Sequence, residues 1–246
     1  MKIISLVNHK GGVGKTTSAV NIAAGLCEKG LKVLLVDADA QANLTKGLGI
    51  PEQKEGLYKS FVKGSKLPII RINNKMDIVP NSIEFAGVEL EISSRLARET
   101  ILKKLLEGIS KEYDYIIIDC PPSLGLVTIN ALVAAEDVLI PVEAEYYAYV
   151  GINSIVGIIN EVRQQFNKQL RIKGVFYTKY NEKRVLTKEI KSMLMKYFGE
   201  TMMQTKIRMN VALAEAQLSG KDIFEYNAES NGAKDYRALV TEILKK

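Results

Sequence analysis

Cysteine is scarce in this chain, and the two it has stand apart. Among 246 residues only Cys27 and Cys120 occur, with no CxxC pair and no metal-ligand spacing, which excludes a disulfide framework and fits a reducing compartment. Cys27 sits in an apolar helical run and reads as core. Long apolar runs are missing too: none approaches the roughly 18 residues of a membrane span. The chain enters its first apolar run at Ile3. Neither a transmembrane helix nor a signal peptide is expected, and a cytoplasmic location is. Repeats and low-complexity linkers are also absent. With 47% hydrophobic residues, normal for a protein with a sizeable core, the expectation is one α/β domain over residues 1–246.

What the chain does have is Lys10-Gly11-Gly12-Val13-Gly14-Lys15-Thr16-Thr17, set between the apolar run 3–7 and the helix-forming stretch 18–24. That order is strand, glycine-rich turn, helix. Three glycines let backbone N–H groups converge without Cβ clashes, so the turn and the positive end of the helix make a nest for phosphate oxygens. Lys15 then supplies a point charge for the β- and γ-phosphates, and the Thr16 hydroxyl is placed to ligate Mg²⁺. The strict spacing of this loop would put glycine where His9 stands; the chain has instead a second lysine, Lys10, five residues ahead of Lys15. Two lysines, three glycines and a threonine at fixed spacing arise by chance on the order of 10⁻⁷ per start position. A mere tight turn does not account for them.

Further along, 32–36 is a buried strand ending at Asp37-Ala38-Asp39-Ala40-Gln41, and 113–118 is another, ending at Asp119-Cys120-Pro121-Pro122. Ligands of open α/β sheets sit at the carboxyl edge, so these carboxylates fall near the phosphates. Asp119 is what the Mg²⁺ side of the site requires, held by a strand and followed by a proline-stiffened exit. Strands are also expected at 76–80, 138–142 and 172–178, and helices at 84–110, 150–167, 185–198 and 233–245, with a strand-to-helix turn at 207–216. Residues 42–75 read as short helices and loops anchored by Leu44, Leu48, Leu57 and Phe61.

Charge is unevenly distributed. From Arg171 to Lys221 there are 11 Lys or Arg against 4 Glu, a net +7 in a chain whose total is +6. Such a segment is the footprint of a polyanion partner, DNA or an acidic membrane, or else a solvated lysine-rich face.

Together, Lys10 and Lys15-Thr16-Thr17, Asp37-x-Asp39-x-Gln41 and Ile116-Ile117-Ile118-Asp119-Cys120-Pro121-Pro122 resemble the ParA/MinD family of deviant Walker-type ATPases. The likeness spans nearly the whole chain and is strongest to the short ParA/Soj-type partition ATPases, which lack an N-terminal DNA-binding extension. The resemblance implies a P-loop NTPase three-layer sandwich with a mostly parallel, helix-flanked central sheet, binding ATP or ADP with Mg²⁺. It implies that the loop residues Lys10, Gly11, Gly12, Val13, Gly14, Lys15, Thr16 and Thr17 hold the phosphates. Lys10 would reach the partner's nucleotide in an ATP-dependent homodimer, Asp39 would position the hydrolytic water, and Asp119 would hold Mg²⁺ through water, beside Thr16. The family's adenine-contacting segment aligns with Arg208-Met209-Asn210-Val211-Ala212-Leu213, so Asn210, and Arg208 through its backbone, carry that role over. One family arginine of the DNA-binding surface is Ala212 here, leaving non-specific DNA binding to Lys183, Arg184, Lys188, Lys206 and Arg208. A ParB-like, centromere-binding partner that stimulates hydrolysis, and association with the nucleoid in the ATP state, also follow from the resemblance.

Other readings remain open. A MinD-like membrane-cycling ATPase would need an amphipathic tail, and the terminal stripe of Tyr236, Leu239, Val240, Ile243 and Leu244 reads as core packing. An ATP-dependent ligase would need a small-molecule pocket, and an iron–sulfur reductase a cysteine pair at a dimer axis, where Cys27 is badly placed.

Overall fold

Short, mostly apolar runs, buried almost throughout, form the middle of one sheet. The structure, a computed structural model, describes residues 1–51, 53, 56–143, 148–181 and 185–246, without the side chains at 110, 148–150 and 185–191. Its strands are β1 (Lys2–Leu6), β2 (Val33–Asp37), β3 (Ile70–Arg71), β4 (Met76–Val79), β5 (Tyr115–Asp119), β6 (Asp137–Glu143), β7 (Arg171–Tyr180) and β8 (Met202–Arg208). They lie in the order β3-β4-β2-β5-β1-β6-β7-β8, parallel except for the antiparallel edge pair β3 and β4.

The helices are α1 (Lys15–Glu28), α2 (Asn43–Gly47), α3 (Gly56–Lys63), α4 (Val88–Ile92), α5 (Ile101–Glu107), α6 (Leu126–Ala134), α7 (Ala148–Gln165), α8 (Val185–Phe198), α9 (Val211–Leu218), α10 (Ile223–Asn227) and α11 (Asn231–Lys245). Strand alternation sorts side chains to two faces. Ile3, Leu34, Val36, Ile116 and Ile118 meet α3 to α8, whereas Ile4, Leu6, Val33, Leu35 and Ile117 meet α1, α2 and α9 to α11. This is the expected three-layer sandwich, with the carboxyl ends of β1, β2 and β5 side by side.

The helix expected over 84–110 is broken. A 3₁₀ turn at Ile83–Gly87 leads into α4, and a second at Arg98–Thr100 follows Ala97, whose φ of 54° interrupts any continuous helix. Helical spacing across such a break no longer shares one face, so Leu90 and Leu96 are 82% and 99% exposed while Leu102 and Leu106 are buried. Glu89 fixes α4 by accepting the Val127 N–H at the start of α6 (2.9 Å), which leaves Leu90 pointing away. In the 42–75 region Leu44, Leu57 and Phe61 are buried as expected, and Leu48 is only partly so.

At the amino ends of β6 and β7, away from the phosphate loop, the buried Asp137 pairs with the buried Lys173 (Nζ to Oδ2, 3.1 Å) and with Arg171 (Nε to Oδ1, 2.6 Å). Burial pushes the Asp137 carboxyl up, but the two cations outweigh it and hold it below the usual range. Removing one member of a buried pair strands the other's charge. Asp137→Ala is therefore expected to lower the free energy of unfolding by about 3 kcal/mol, whereas Lys173→Met, which leaves Asp137 on Arg171, costs less. Urea titration of both variants checks the ordering.

Candidate active site

The loop between β1 and α1 is tied down by the neighbouring strands β6 and β7. Asn8 donates its amide to the Pro141 carbonyl at 2.7 Å and accepts the Lys10 N–H at 3.0 Å. Thr178, at the end of β7, donates its hydroxyl to the Val13 carbonyl at 2.8 Å. Gly12 and Gly14 adopt φ of 75° and 85°, backbone conformations that a side chain would strain. No atom stands within 4 Å of where a Cβ on Gly12 would lie, so the loop opens onto free space.

That space is a groove of about 780 Å³ bordered by Gly11, Gly12, Gly14, Lys15, Thr16, Thr17, Asp39 and Pro122 among others. Lys15 is buried, although the loop that carries it opens to solvent, and its Nζ reaches the Lys10 carbonyl at 3.3 Å. Burial presses its ammonium below the ordinary lysine range, against the opposing pull of Asp119 and Asp39.

At the foot of the groove the Thr16 hydroxyl donates to Asp119 Oδ2 at 2.7 Å, while Asp119 Oδ1 is buried with no hydrogen-bond partner. Asp37 lies beside Asp119 in the sheet register and takes the Thr45 N–H and hydroxyl at 2.9 and 2.7 Å. Burial first, and the neighbouring Asp37 second, push Asp119 up to about 8. Burial also drives Asp37 up to about 6, against its Thr45 hydrogen bonds. Two neighbouring buried carboxyls held this way are electrostatically under-compensated, and a divalent cation relieves them. The donors on offer, a carboxylate oxygen without a partner and a hydroxyl, are the hard oxygens Mg²⁺ takes. Among the described residues no group of three or more His, Cys, Asp or Glu could hold a metal ion. Mg²⁺ is the ion that suits such a sparse set, because it keeps waters and shares substrate phosphates.

Asp39 is half-buried at the rim, accepting the Gln41 N–H at 3.0 Å. Its carbonyl receives the Asn81 amide at 3.3 Å, and the Asn81 N–H is bonded to Thr45 Oγ1 at 3.0 Å. Thr45 thus joins the carboxyl of Asp37 to the end of β4 and, through Asn81, to the backbone that carries Asp39. The turn is strained: Ala42 has φ 52°, and Lys179, on the far side of the site, has φ 47°.

A second cavity of about 390 Å³ continues from Gly14 and Thr17 along Thr178, Lys179, Ile207, Arg208, Met209, Asn210 and Tyr236. Asn210 caps α9 by accepting the Ala212 N–H at 2.9 Å. Arg208 lies with its guanidinium on Asp235, at 2.7 Å in the shortest contact.

The structure therefore gathers Lys15, Thr16, Thr17, Asp39 and Asp119 in one groove and places Arg208 and Asn210 beside it. Lys10 stands half-buried at the start of the loop. Lys183 and Arg184 lie outside the described residues, as does the side chain of Lys188 on α8; Lys206 extends over the Tyr180 ring, 4.4 Å from its centre. Much of the basic charge of 171–221 is paired with acids from other parts of the chain. Arg171 and Lys173 meet Asp137, Lys179 meets Glu143, Arg208 meets Asp235 and Lys221 meets Glu225. Sequence reasoning gave no role to Thr45, Asn81, Thr178 or Asp235. Asn81, Thr178 and Asp235 come to the site from distant segments, Thr45 from the helix eight residues beyond Asp37, and no motif spacing marks any of them.

Comparison with known proteins gives the same setting. The protein-family model described as an AAA domain (AAA_31) matches residues 1–172. The chain is 42% identical over 247 residues to the sporulation initiation inhibitor protein Soj of Bacillus subtilis (strain 168), covering 98% of each chain. It is 39% identical to the chromosome-partitioning ATPase Soj of Treponema pallidum (strain Nichols), over 99% of this chain and 97% of that one. Among solved structures, cobyrinic acid a,c-diamide synthase from Mycobacterium smegmatis with bound ADP and magnesium superimposes with a TM-score of 0.87 at 30% identity, covering 100% of this chain and 94% of that one. No helix among the described residues is long and apolar enough to cross a membrane.

Proposed function

Since the chain belongs to the AAA-domain family that includes the Soj and ParA ATPases, we propose that it is a partition switch: an ATP-dependent homodimer that binds DNA without sequence preference and comes apart on hydrolysis. It is a partition ATPase that binds ATP and ADP with Mg²⁺. The dimer, the DNA and a ParB-like partner that stimulates hydrolysis are the finer parts of the reading.

The observation that carries it is the Thr16–Asp119 contact of 2.7 Å at the foot of a groove that begins in a two-lysine phosphate loop. The loop N–H groups and Lys15 hold the β- and γ-phosphates, and Thr16 and Asp119 would hold the metal. When bound, Mg²⁺ neutralises charge on those phosphates. Asp39 orients a water in line with the γ-phosphorus; the water oxygen bonds to phosphorus as the bond to the ADP oxygen breaks, one of the water's protons leaving on the phosphate and the other passing to solvent. Lys10 supplies the further cation, across the dimer, to the partner's phosphates. The base lies against Arg208–Asn210 in the smaller cavity. ATP thus holds two subunits together and hydrolysis frees them, a timed switch.

For the DNA surface, the residues of the reading are Lys183, Arg184, Lys188, Lys206 and Arg208, of which Arg208 is held on Asp235. Filter binding with ATP is expected to show DNA affinity falling by roughly 10³-fold over a fourfold rise in salt, with little sequence preference. Lys183→Glu with Arg184→Glu weakens it further. Salt-insensitive binding, or a double variant that binds as the wild type does, makes the basic segment a solvated face. ATP-dependent pelleting with anionic liposomes but not with DNA would transfer the switch to a membrane surface. The likeness to cobyrinic acid a,c-diamide synthase, at 30% identity, does not by itself transfer that protein's function.

A further inference from the structure

The C-terminal helix reaches the smaller cavity at consecutive residues, from two sides. Asp235 is buried and accepts the Arg208 N–H at 2.9 Å together with the Arg208 guanidinium, Nε at 3.0 Å and NH2 at 2.7 Å. Tyr236 is buried next to it, lines the cavity, and shares a hydrogen bond of 3.0 Å with the hydroxyl of Ser18 on α1, two residues beyond Thr16. The first turn of α11 also lies against Asn210 and Leu213: a Cβ on Gly232 would stand 3.0 Å from Leu213 and 3.4 Å from the Asn210 amide. One end of α11 therefore joins the Arg208–Asn210 wall to the helix that carries the phosphate loop.

A second acid on α11 separates two explanations. Glu242 accepts the Gln204 and Thr205 N–H groups at 2.8 and 3.0 Å, closing the outer edge of β8 in the same manner as Asp235 closes it at Arg208. Covering an edge strand is a sufficient reason for such an acid. Glu242, however, bonds the middle of β8, and neither it nor Gln204 nor Thr205 lines the cavity, so it performs the edge role alone.

We propose that Asp235 and Tyr236 are positioning residues for the nucleotide base, fixing the gap between the Arg208–Asn210 wall and the phosphate-binding helix, and so setting affinity for the base half of ATP without touching its phosphates. The proposal rests on the reading that the base occupies this cavity. Its mark is a selective one: loss of either link loosens one wall against the other while the loop, held separately by Asn8 and Thr178, keeps its grip on phosphate.

The test compares binding of ATP and of inorganic tripolyphosphate, each with Mg²⁺, by calorimetry on the full chain. Wild type binds ATP more tightly than tripolyphosphate. In Asp235→Asn that ratio is expected to fall about tenfold, as expected for weakening a charged hydrogen bond. Tyr236→Phe, which deletes one oxygen, lowers it by about threefold, and Glu242→Gln leaves it unchanged while lowering the melting temperature. A ratio unchanged in Asp235→Asn, or lowered equally in Glu242→Gln, overturns the proposal. If Asp235→Asn no longer folds, Tyr236→Phe decides alone, and an unchanged ratio there overturns it as well. A wild type that binds tripolyphosphate as tightly as ATP instead removes the base-cavity reading, and the proposal with it.

Discussion

Lys15→Ala is expected to abolish measurable nucleotide binding, weakening ATP by on the order of 10³-fold, while the protein stays folded. Lys15 is buried at the head of the phosphate groove, and its ammonium is held below its ordinary range chiefly by burial, next to Asp119. A cation kept in so dry a place acts on phosphate with little screening, which is why its loss is expected to cost more than that of a surface lysine. The fold is expected to tolerate the change because Asp119, which burial pushes up to about 8, can hold a proton where the ammonium was. Lys15→Arg is expected to fail too, since a planar fork replaces a point charge in a loop shaped by glycines. Equilibrium binding of a fluorescent ATP analogue, with a thermal melt on each variant, makes the measurement; wild-type affinity in Lys15→Ala refutes the assignment.

Lys10 and Asp39 are expected to fail in opposite directions. Asp39 stands at the rim, its carboxyl held by the Gln41 N–H and its carbonyl by the Asn81 amide rather than by the phosphate loop, so Asp39→Ala leaves the cradle whole and removes the group proposed to orient water. ATP still binds, hydrolysis drops by roughly 10³-fold, and the dimer accumulates because it cannot hydrolyse its way apart. Lys10→Ala keeps Lys15, Thr16 and Asp119 in place and removes the cation that the proposed dimer offers to the partner. Nucleotide then binds to a monomer, and dimerisation and turnover are lost together. Light scattering with ATP and Mg²⁺, alongside phosphate release, separates the two. An Asp39→Ala protein that remains monomeric, or a Lys10→Ala protein that dimerises and turns over normally, leaves the trans-lysine mechanism without support.

The chemistry-bearing stretches were legible because each is local. A glycine-rich turn between a strand and a helix, and a carboxylate at the end of an apolar run, are complete within a dozen residues, and the parallel fold delivers every such strand end to one edge. The middle of the chain was legible only in part. Apolar spacing from 84 to 110 fits one long helix, yet Ala97 at φ 54° and the Glu89 contact with α6 break it. Charge misled in another way: a sum over 171–221 counts Lys173 and Arg208 as surface cations, although Asp137 and Asp235 neutralise them from outside the segment.

Sequence alone determined the phosphate loop, the two acidic strand ends and the three-layer class, since all three depend on neighbours along the chain and on the periods of strand and helix. Only the tertiary structure decided that Asp37 and Asp119 are buried side by side, that Thr45 and Asn81 hold the Asp39 turn, and that Asp235 and Tyr236 join the two walls of the smaller cavity. The physical reason is separation: the partners of these contacts lie 8 to 218 residues apart along the chain, most of them in segments brought together only by the winding of the sheet, while burial, which sets the charge state of both aspartates, exists only once the layers have closed over them.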